Sequence, residues 1–136
     1  MAEGAGDAGE RIRIALTVAQ REEMARGRFV RVTLPRAIEI AGARTRSVLV
    51  GRVEGSLRAY ANVCRHQAVP LDLGMDTAMS SDGHHLVCHQ HGAMYRPDDG
   101  ECIYGPCKGE RLSTMTILSI DEEICELELS HAKPRD

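Results

Sequence analysis

The chain of 136 residues contains no tryptophan and a single phenylalanine. A hydrophobic core must therefore be built from valine, isoleucine, leucine, methionine and alanine. No stretch approaches the roughly 20 consecutive apolar residues that a membrane-spanning helix needs. The formal net charge is −3, from 17 basic and 20 acidic residues, and no run of like charge stands out. These absences argue against a nucleic-acid-binding domain and against a membrane partner.

The first ten residues are small and acidic. They lack the positively charged start and apolar middle of a secretory signal, and they carry no twin-arginine export motif. We expect residues 1–10 to form a disordered lead-in. Residues 11–136 have the length of one domain with a real core. A soluble protein of the cytoplasm is the expectation that follows.

Short alternating segments, separated by turn residues, predict an all-β fold. Apolar residues alternate from Ile12 to Val18 as in a half-buried strand. A second alternating segment, 29–34, stops at Pro35, and the polar residues 20–28 are compatible with a helical turn. Glu54-Gly55 is typical of a two-residue hairpin turn. Further strands are predicted at 47–53, 57–61, 86–87, 94–96, 101–103, 112–120 and 124–129.

Two short motifs each combine a cysteine with a histidine: C-R-H at residues 64–66 and C-H-Q-H at residues 88–91. A [2Fe–2S] centre of mixed ligation is held by two thiolates on one iron and two imidazoles on the other. Two loops that each supply one thiolate and one imidazole can bind such a cluster from opposite sides. The candidate ligands are Cys64, His66, Cys88 and His91.

This pattern resembles that of the Rieske iron–sulfur family, and the likeness covers nearly the whole chain after Val30. An apolar stretch and Gly74 follow the first motif, and the second continues as H-G-A-M-Y, similar to the family's C-x-x-H-G-x-x-[FY]. The resemblance implies an antiparallel β-sandwich or partial-barrel base, with a small cluster-binding β subdomain, about residues 62–107, inserted into it. It also implies one Rieske-type [2Fe–2S] cluster, whose surroundings include Gly92, Ala93, Tyr95, Gly105 and Pro106.

The sequence departs from the family members of membrane respiratory complexes. Those members carry a disulfide across the cluster, whereas this chain has Val69 and Gln90 at the two positions. Ala93 replaces a serine whose hydroxyl binds a bridging sulfide, while Tyr95 keeps the tyrosine that can bind a cysteine sulfur. The pattern is therefore closer to the soluble Rieske ferredoxins. Histidine ligation implies a reduction potential of about −150 to +300 mV, and the missing serine favours the lower half of that range.

The resemblance implies electron transfer without substrate chemistry, so the protein is expected to be no enzyme by itself. We expect a carrier that takes single electrons from a reductase and passes them to a terminal oxidoreductase, such as a ring-hydroxylating dioxygenase. A small Rieske subunit of a larger reductase, of the nitrite-reductase type, is the alternative. Partners are expected to dock transiently at the cluster tip on the apolar residues Val69, Pro70 and Leu71.

A third hypothesis comes from another class of protein. Two cysteines and two histidines suit a structural zinc site equally well, and the chain would then be an interaction module without a redox role. A zinc site does not account for Gly92, Tyr95 or the pair Gly105-Pro106. Among the other cysteines, Cys102 and Cys107 are compatible with a local disulfide, although thiols are favoured in a reducing compartment.

Overall fold

The computed structural model describes residues 11–40, 42–65, 70–71, 79–80, 83–90, 92–121 and 126–130. This part of the chain is dominated by β-strands and contains one short helix. In chain order the elements are β1 (Arg11–Ala15), α1 (Val18–Ala25), β2 (Val30–Ile40), β3 (Ala43–Val53), β4 (Ser56–Ala61), β5 (Leu86–Val87), β6 (Met94–Tyr95), β7 (Cys102–Tyr104), β8 (Thr116–Asp121) and β9 (Glu126–Ser130).

The strands form three antiparallel sheets, with the orders β1-β9-β8, β2-β3-β4 and β5-β6-β7. The first sheet joins the two ends of the described chain, because β1 pairs with β9 through partners such as Ile12 and Leu129. The third sheet consists of strands of two or three residues and lies in sequence between β4 and β8. The predicted all-β class with antiparallel sheets is confirmed.

Strand β3 separates two hydrophobic cores. Val48 and Val50 are buried in a core shared by β1, β2, β4 and β9, which is also covered by Met24 of α1. Leu49 points to the opposite face of the strand and belongs to a second core, which contains Cys64, Cys88 and the residues around them. These three side chains are all almost completely buried. The base of the fold and the candidate site are therefore packed against the two faces of one strand.

The first strand ends earlier than the sequence pattern predicts. Thr17 caps α1 through a reciprocal pair of hydrogen bonds: Gln20 N donates to Thr17 Oγ1 over 3.0 Å, and Thr17 N donates to Gln20 Oε1 over 2.8 Å. This capping box begins a helix. The prediction of an alternating strand through Val18 is therefore wrong, and Val18 is an exposed first-turn residue.

Within the described residues, no helix has the length and apolarity to cross a membrane.

The second strand continues past the proline that was predicted to end it. Strand β2 extends to Ile40, and its register against β3 shifts between Thr33 and Ile38. Pro35 lies in this irregularity, on a strand at the edge of its sheet, where its missing N–H breaks no ladder hydrogen bond. The predicted hairpin is confirmed: Glu54 and Gly55 have φ of 51° and 84°, as a type I′ turn requires, and β3 and β4 pair on either side of them.

Candidate metal centre

Both candidate cysteine ligands lie shortly after strands and are buried. Cys64 lies three residues after the end of β4, and Cys88 immediately follows β5. Their side chains retain 4% and 1% of their accessible surface, and neither forms a disulfide. Two buried sulfur donors suit iron or another soft metal, whereas magnesium or calcium would need oxygen donors. The cysteine half of the predicted ligand set therefore fits an iron–sulfur cluster.

A buried asparagine holds the chain around Cys64. Asn62 is completely buried, and its Oδ1 accepts a hydrogen bond of 2.9 Å from Leu71 N. Its Nδ2 donates to Ser47 Oγ over 3.1 Å, so the same side chain links the loop to β3. Asn62 was not among the site residues predicted from the sequence. The sequence does contain a signal for this role, because an asparagine stands directly after a strand and before a ligand motif. At such a position the backbone groups of the loop need a hydrogen-bond partner, and a side-chain amide can supply one.

The turn after Cys88 is closed by backbone hydrogen bonds. Cys88 N donates to Ala93 O, and Gly92 N donates to Cys88 O, both over 2.8 Å. Gly92 has a φ of 80°, which a glycine adopts without steric cost. His89 N donates to Leu71 O over 2.9 Å and so ties this turn to the segment after the first motif. The two cysteine loops are therefore fixed to each other through the main chain.

The hydroxyl of Tyr95 lies among two sulfurs and a backbone amide. The side chain is completely buried. Its Oη is 3.5 Å from Cys64 Sγ and 3.2 Å from Cys107 Sγ, and it accepts a hydrogen bond of 3.0 Å from Arg65 N. Burial raises the pKa of Tyr95 far above its ordinary value, and the two sulfurs add to this effect. Tyr95 therefore keeps its proton and can donate a hydrogen bond beside a candidate ligand.

Cys102 and Cys107 are buried thiols in this structure, with 3.2 Å between their sulfur atoms. Cys102 Sγ also donates to Tyr104 O over 3.2 Å. Burial raises the pKa of the Cys102 thiol to about 11. Cys102 therefore stays protonated at neutral pH and keeps an S–H donor for the carbonyl.

The loop after β7 approaches the second cysteine loop at one glycine. Gly105 has a φ of 107°, and a Cβ at this position would lie 2.9 Å from Ala93 Cα. Only glycine therefore permits this approach without displacing the main chain. Pro106, which follows, is exposed, and so is Tyr104 before it. This loop presents one proline and one tyrosine to solvent beside the buried Cys107.

The remaining predicted residues differ in where they lie. His66, His91 and Val69 are outside the described residues. Pro70 is exposed, as a docking residue must be. Leu71 is completely buried and belongs to the second core, so its side chain is not available to a partner and it is removed from the docking surface. In the described part of the chain no three histidine, cysteine or acidic side chains form a metal-binding group.

Comparisons with known proteins agree with this architecture. A model of the Rieske [2Fe-2S] domain matches residues 15–120. A search of curated proteins gives no match. Among solved structures, a chain in the reduced complex between oxygenase and ferredoxin in carbazole 1,9a-dioxygenase is similar, with a TM-score of 0.56 and 18% identity over 96% of this chain and 30% of that chain. The terminal oxygenase of carbazole 1,9a-dioxygenase from Nocardioides aromaticivorans IC177 gives 0.54 and 20%, over 96% and 32%.

A third chain is similar over nearly its whole length. In the complex of reduced oxygenase and oxidized ferredoxin in carbazole 1,9a-dioxygenase, the TM-score is 0.53 and the identity 18%, over 96% of this chain and 99% of that chain. This protein thus spans about a third of the first two chains and nearly all of the third. At such identities the likeness to solved structures establishes a shared fold. The family match, which covers most of the sequence and both cysteine–histidine motifs, establishes that the chain belongs to the Rieske [2Fe-2S] domain family.

Proposed function

We propose that this protein is an electron carrier that binds one Rieske-type [2Fe–2S] cluster and acts between a reductase and a terminal oxidoreductase. The observation that carries the proposal is the buried pair Cys64 and Cys88, with the Tyr95 hydroxyl 3.5 Å from Cys64 Sγ. A ring-hydroxylating oxygenase is the acceptor we propose, since chains similar to this one occur in complexes of oxygenase and ferredoxin. The protein would have no substrate chemistry of its own.

The proposed ligands are the four residues of the two motifs. Cys64 and Cys88 would hold one iron through their thiolates, and His66 and His91 would hold the other through their imidazoles. The cluster, when bound, supplies a reversible one-electron couple. The support for this set is the mixed composition of each motif, the family match across both motifs and the burial of both cysteines.

The chain around the cysteines has two further tasks. The second core keeps water from the cysteine sulfurs with buried apolar side chains that include Leu71, Leu86 and Leu112. Tyr95 would donate its hydroxyl proton towards Cys64 Sγ, 3.5 Å away, because an iron-bound thiolate has no proton to donate. A hydrogen bond to a ligand sulfur stabilises the more negative, reduced state and raises the potential.

We propose that partners dock on the exposed residues next to the cysteine loops. Pro70 and Pro106 are exposed, and Tyr104 adds a large exposed ring beside Pro106. Val69 completes this set from the sequence. Redox partners bind through small, short-lived interfaces, for which a few apolar residues suffice.

We further propose that residues 62–107 form the cluster-binding subdomain, within a domain of residues 11–136, and that the protein works in the cytoplasm.

The test is an absorption and low-temperature EPR spectrum of the purified protein before and after dithionite, with metal and sulfide analysis. We expect a red-brown protein with two iron and two sulfide ions per chain and a rhombic signal of mixed histidine and cysteine ligation. A colourless protein with one zinc ion per chain would overturn the proposal and support the zinc-module alternative.

A pair of variants in the second motif tests the ligand assignment. His91→Cys replaces a neutral ligand with a thiolate, so it should lower the reduction potential by more than about 100 mV. His89→Cys is the matched control, because His89 belongs to the same motif and is exposed. It should leave the potential near the wild-type value. A similar shift in both variants, or in neither, would contradict the assignment of His91.

A further inference from the structure

Four polar atoms form a connected chain in the second core. Cys64 Sγ lies 3.5 Å from Tyr95 Oη, Tyr95 Oη lies 3.2 Å from Cys107 Sγ, and Cys107 Sγ lies 3.2 Å from Cys102 Sγ. The chain ends where Cys102 Sγ donates to Tyr104 O over 3.2 Å. Cys107 is thus separated from the candidate ligand Cys64 by one hydroxyl group. Neither Cys102 nor Cys107 belongs to the proposed ligand set.

The numbers of donors and acceptors limit the possible directions of these hydrogen bonds. A phenol has one proton to donate and two lone pairs that accept. One lone pair of Tyr95 Oη is used by Arg65 N, which donates over 3.0 Å. One proton and one lone pair therefore remain for the two sulfurs. Cys64, as a metal ligand, is a thiolate and can only accept, so it receives the tyrosine proton. The remaining lone pair is left for the S–H of Cys107.

Cys107 has a second possible acceptor, which is weaker. Cys102 uses its own proton on Tyr104 O, so its sulfur can accept from Cys107 at the same distance of 3.2 Å. Sulfur is a weak acceptor compared with a hydroxyl oxygen. The balance therefore favours donation from Cys107 to Tyr95 Oη. This donation polarises the phenol and strengthens the bond that Tyr95 makes to Cys64.

We propose that Cys107 is a positioning residue that raises the reduction potential through Tyr95, by donating to its hydroxyl oxygen and so directing the hydroxyl proton to Cys64 Sγ. The inference rests on the proposed function, since it takes Cys64 as a cluster ligand. Cys107 Sγ lies 3.2 Å from the Tyr95 hydroxyl, so we expect its effect on Cys64 to pass through Tyr95. Cys102 modulates the effect because it competes for the Cys107 proton.

The experiment measures the midpoint potential of the cluster-containing protein by spectroelectrochemical titration. Cys107→Ala removes a weak S–H donor, so at the wild-type midpoint potential the ratio of reduced to oxidised protein should fall about threefold, or about 28 mV for a one-electron couple. Cys107→Ser keeps a donor and should restore most of the potential. Cys107→Val fills the space without a donor and should behave like Cys107→Ala, which separates hydrogen bonding from cavity formation. Cys102→Ala removes the competing acceptor and should not lower the potential.

The decisive comparison repeats Cys107→Ala in a Tyr95→Phe background. Tyr95→Phe alone should lower the potential further than Cys107→Ala does, and adding Cys107→Ala should then change nothing more. An equal shift in both backgrounds, or no shift in the wild-type background, would overturn the role of Cys107 while leaving the electron-carrier function intact. A wild-type protein that binds no iron would overturn the proposed function and this inference together.

Discussion

Gly105 and Gly109 allow the close contact between the two loops to be tested with a matched pair of variants. Both lie in the loop after β7, and both have a positive φ, 107° and 97°. A Cβ at Gly105 would lie 2.9 Å from Ala93 Cα and 3.3 Å from Ala93 Cβ, whereas a Cβ at Gly109 would have nothing within 4 Å. Alanine at Gly109 therefore tests the backbone conformation alone, and alanine at Gly105 tests conformation together with overlap.

The expected magnitudes follow from this geometry. A non-glycine residue in a sparsely populated positive-φ region costs about 1–3 kcal/mol of unfolding free energy, and this cost applies to both variants. Overlap in a packed interior adds about 1–3 kcal/mol. This second cost applies only at Gly105, where the neighbour is main chain and cannot rotate away. Gly105→Ala should therefore be about 1–3 kcal/mol less stable than Gly109→Ala.

Thermal unfolding followed by circular dichroism measures the difference. At this chain length 1 kcal/mol corresponds to roughly 3–5 °C in Tm, so the two variants should differ by at least about 3 °C. Gly105→Ala should also bind less iron per chain, because Ala93 O accepts the hydrogen bond of Cys88 N that closes the ligand turn. Equal losses of Tm and of iron in the two variants would refute the argument that the Gly105–Ala93 contact positions this loop.

Three further predictions concern groups outside the ligand set. The hydrogen bond from Arg96 lowers the pKa of Asp99 from 3.8 to about 2. Wild type should therefore have a higher Tm than Asp99→Asn above pH 4, and this difference should disappear as the pH falls towards 2. The corresponding difference in unfolding free energy should stay below about 1 kcal/mol because the pair is partly exposed. A Tm difference that persists at pH 2 would contradict the pKa shift of Asp99. Gly51→Ala would place a methyl group within 2.5–2.7 Å of the Phe29 ring and should lower the unfolding free energy by about 1–3 kcal/mol. Phe29→Leu in the same chain should recover part of that loss, and strictly additive losses in denaturant titrations would argue against the clash. Since burial raises the pKa of Cys102 to about 11, its alkylation at pH 8 should be at least about tenfold slower in the folded protein than after unfolding; equal rates by mass spectrometry would contradict this.

Local rules predicted the parts of the fold that depend on neighbouring residues. The turn Glu54-Gly55 needs positive φ at both positions, and this requirement is visible in the sequence. The start of α1 was not predicted, although Thr17 and Gln20 form a capping-box pattern in the sequence. The alternation that ended at Val18 competed with this pattern. The helix forms in place of a continued strand because its first amides find acceptors: Gln20 N donates to Thr17 Oγ1, and Arg21 N donates to Thr17 O.

Other features depend on the position of a strand in its sheet. Proline ends a central strand but is tolerated at an edge or a bulge, and the sequence does not say which neighbour β2 lacks. Among the described strands, β2 pairs only with β3 within its sheet, so Pro35 interrupts one side of the register without ending the strand. Leu71, which was expected at the surface as one of three consecutive apolar residues, depends on contacts that the local sequence does not show. Its burial comes from packing against residues that are distant in sequence.

The ligand motifs depend on local sequence, whereas the network around Tyr95 depends on how two strands pair. Each cysteine–histidine motif is local, so its composition alone indicates a metal site. The contact between Tyr95 and Cys107 depends on the pairing of β6 with β7, in which Met94 pairs with Tyr104 and Tyr95 with Cys102. This register contains an irregularity at Ile103, and a shift of one residue would turn Tyr95 to the opposite face of the sheet. The sequence therefore left Cys102 and Cys107 as a choice between a disulfide and two thiols. Their role as hydrogen-bonding groups beside Tyr95 follows only from the register that brings them to its hydroxyl.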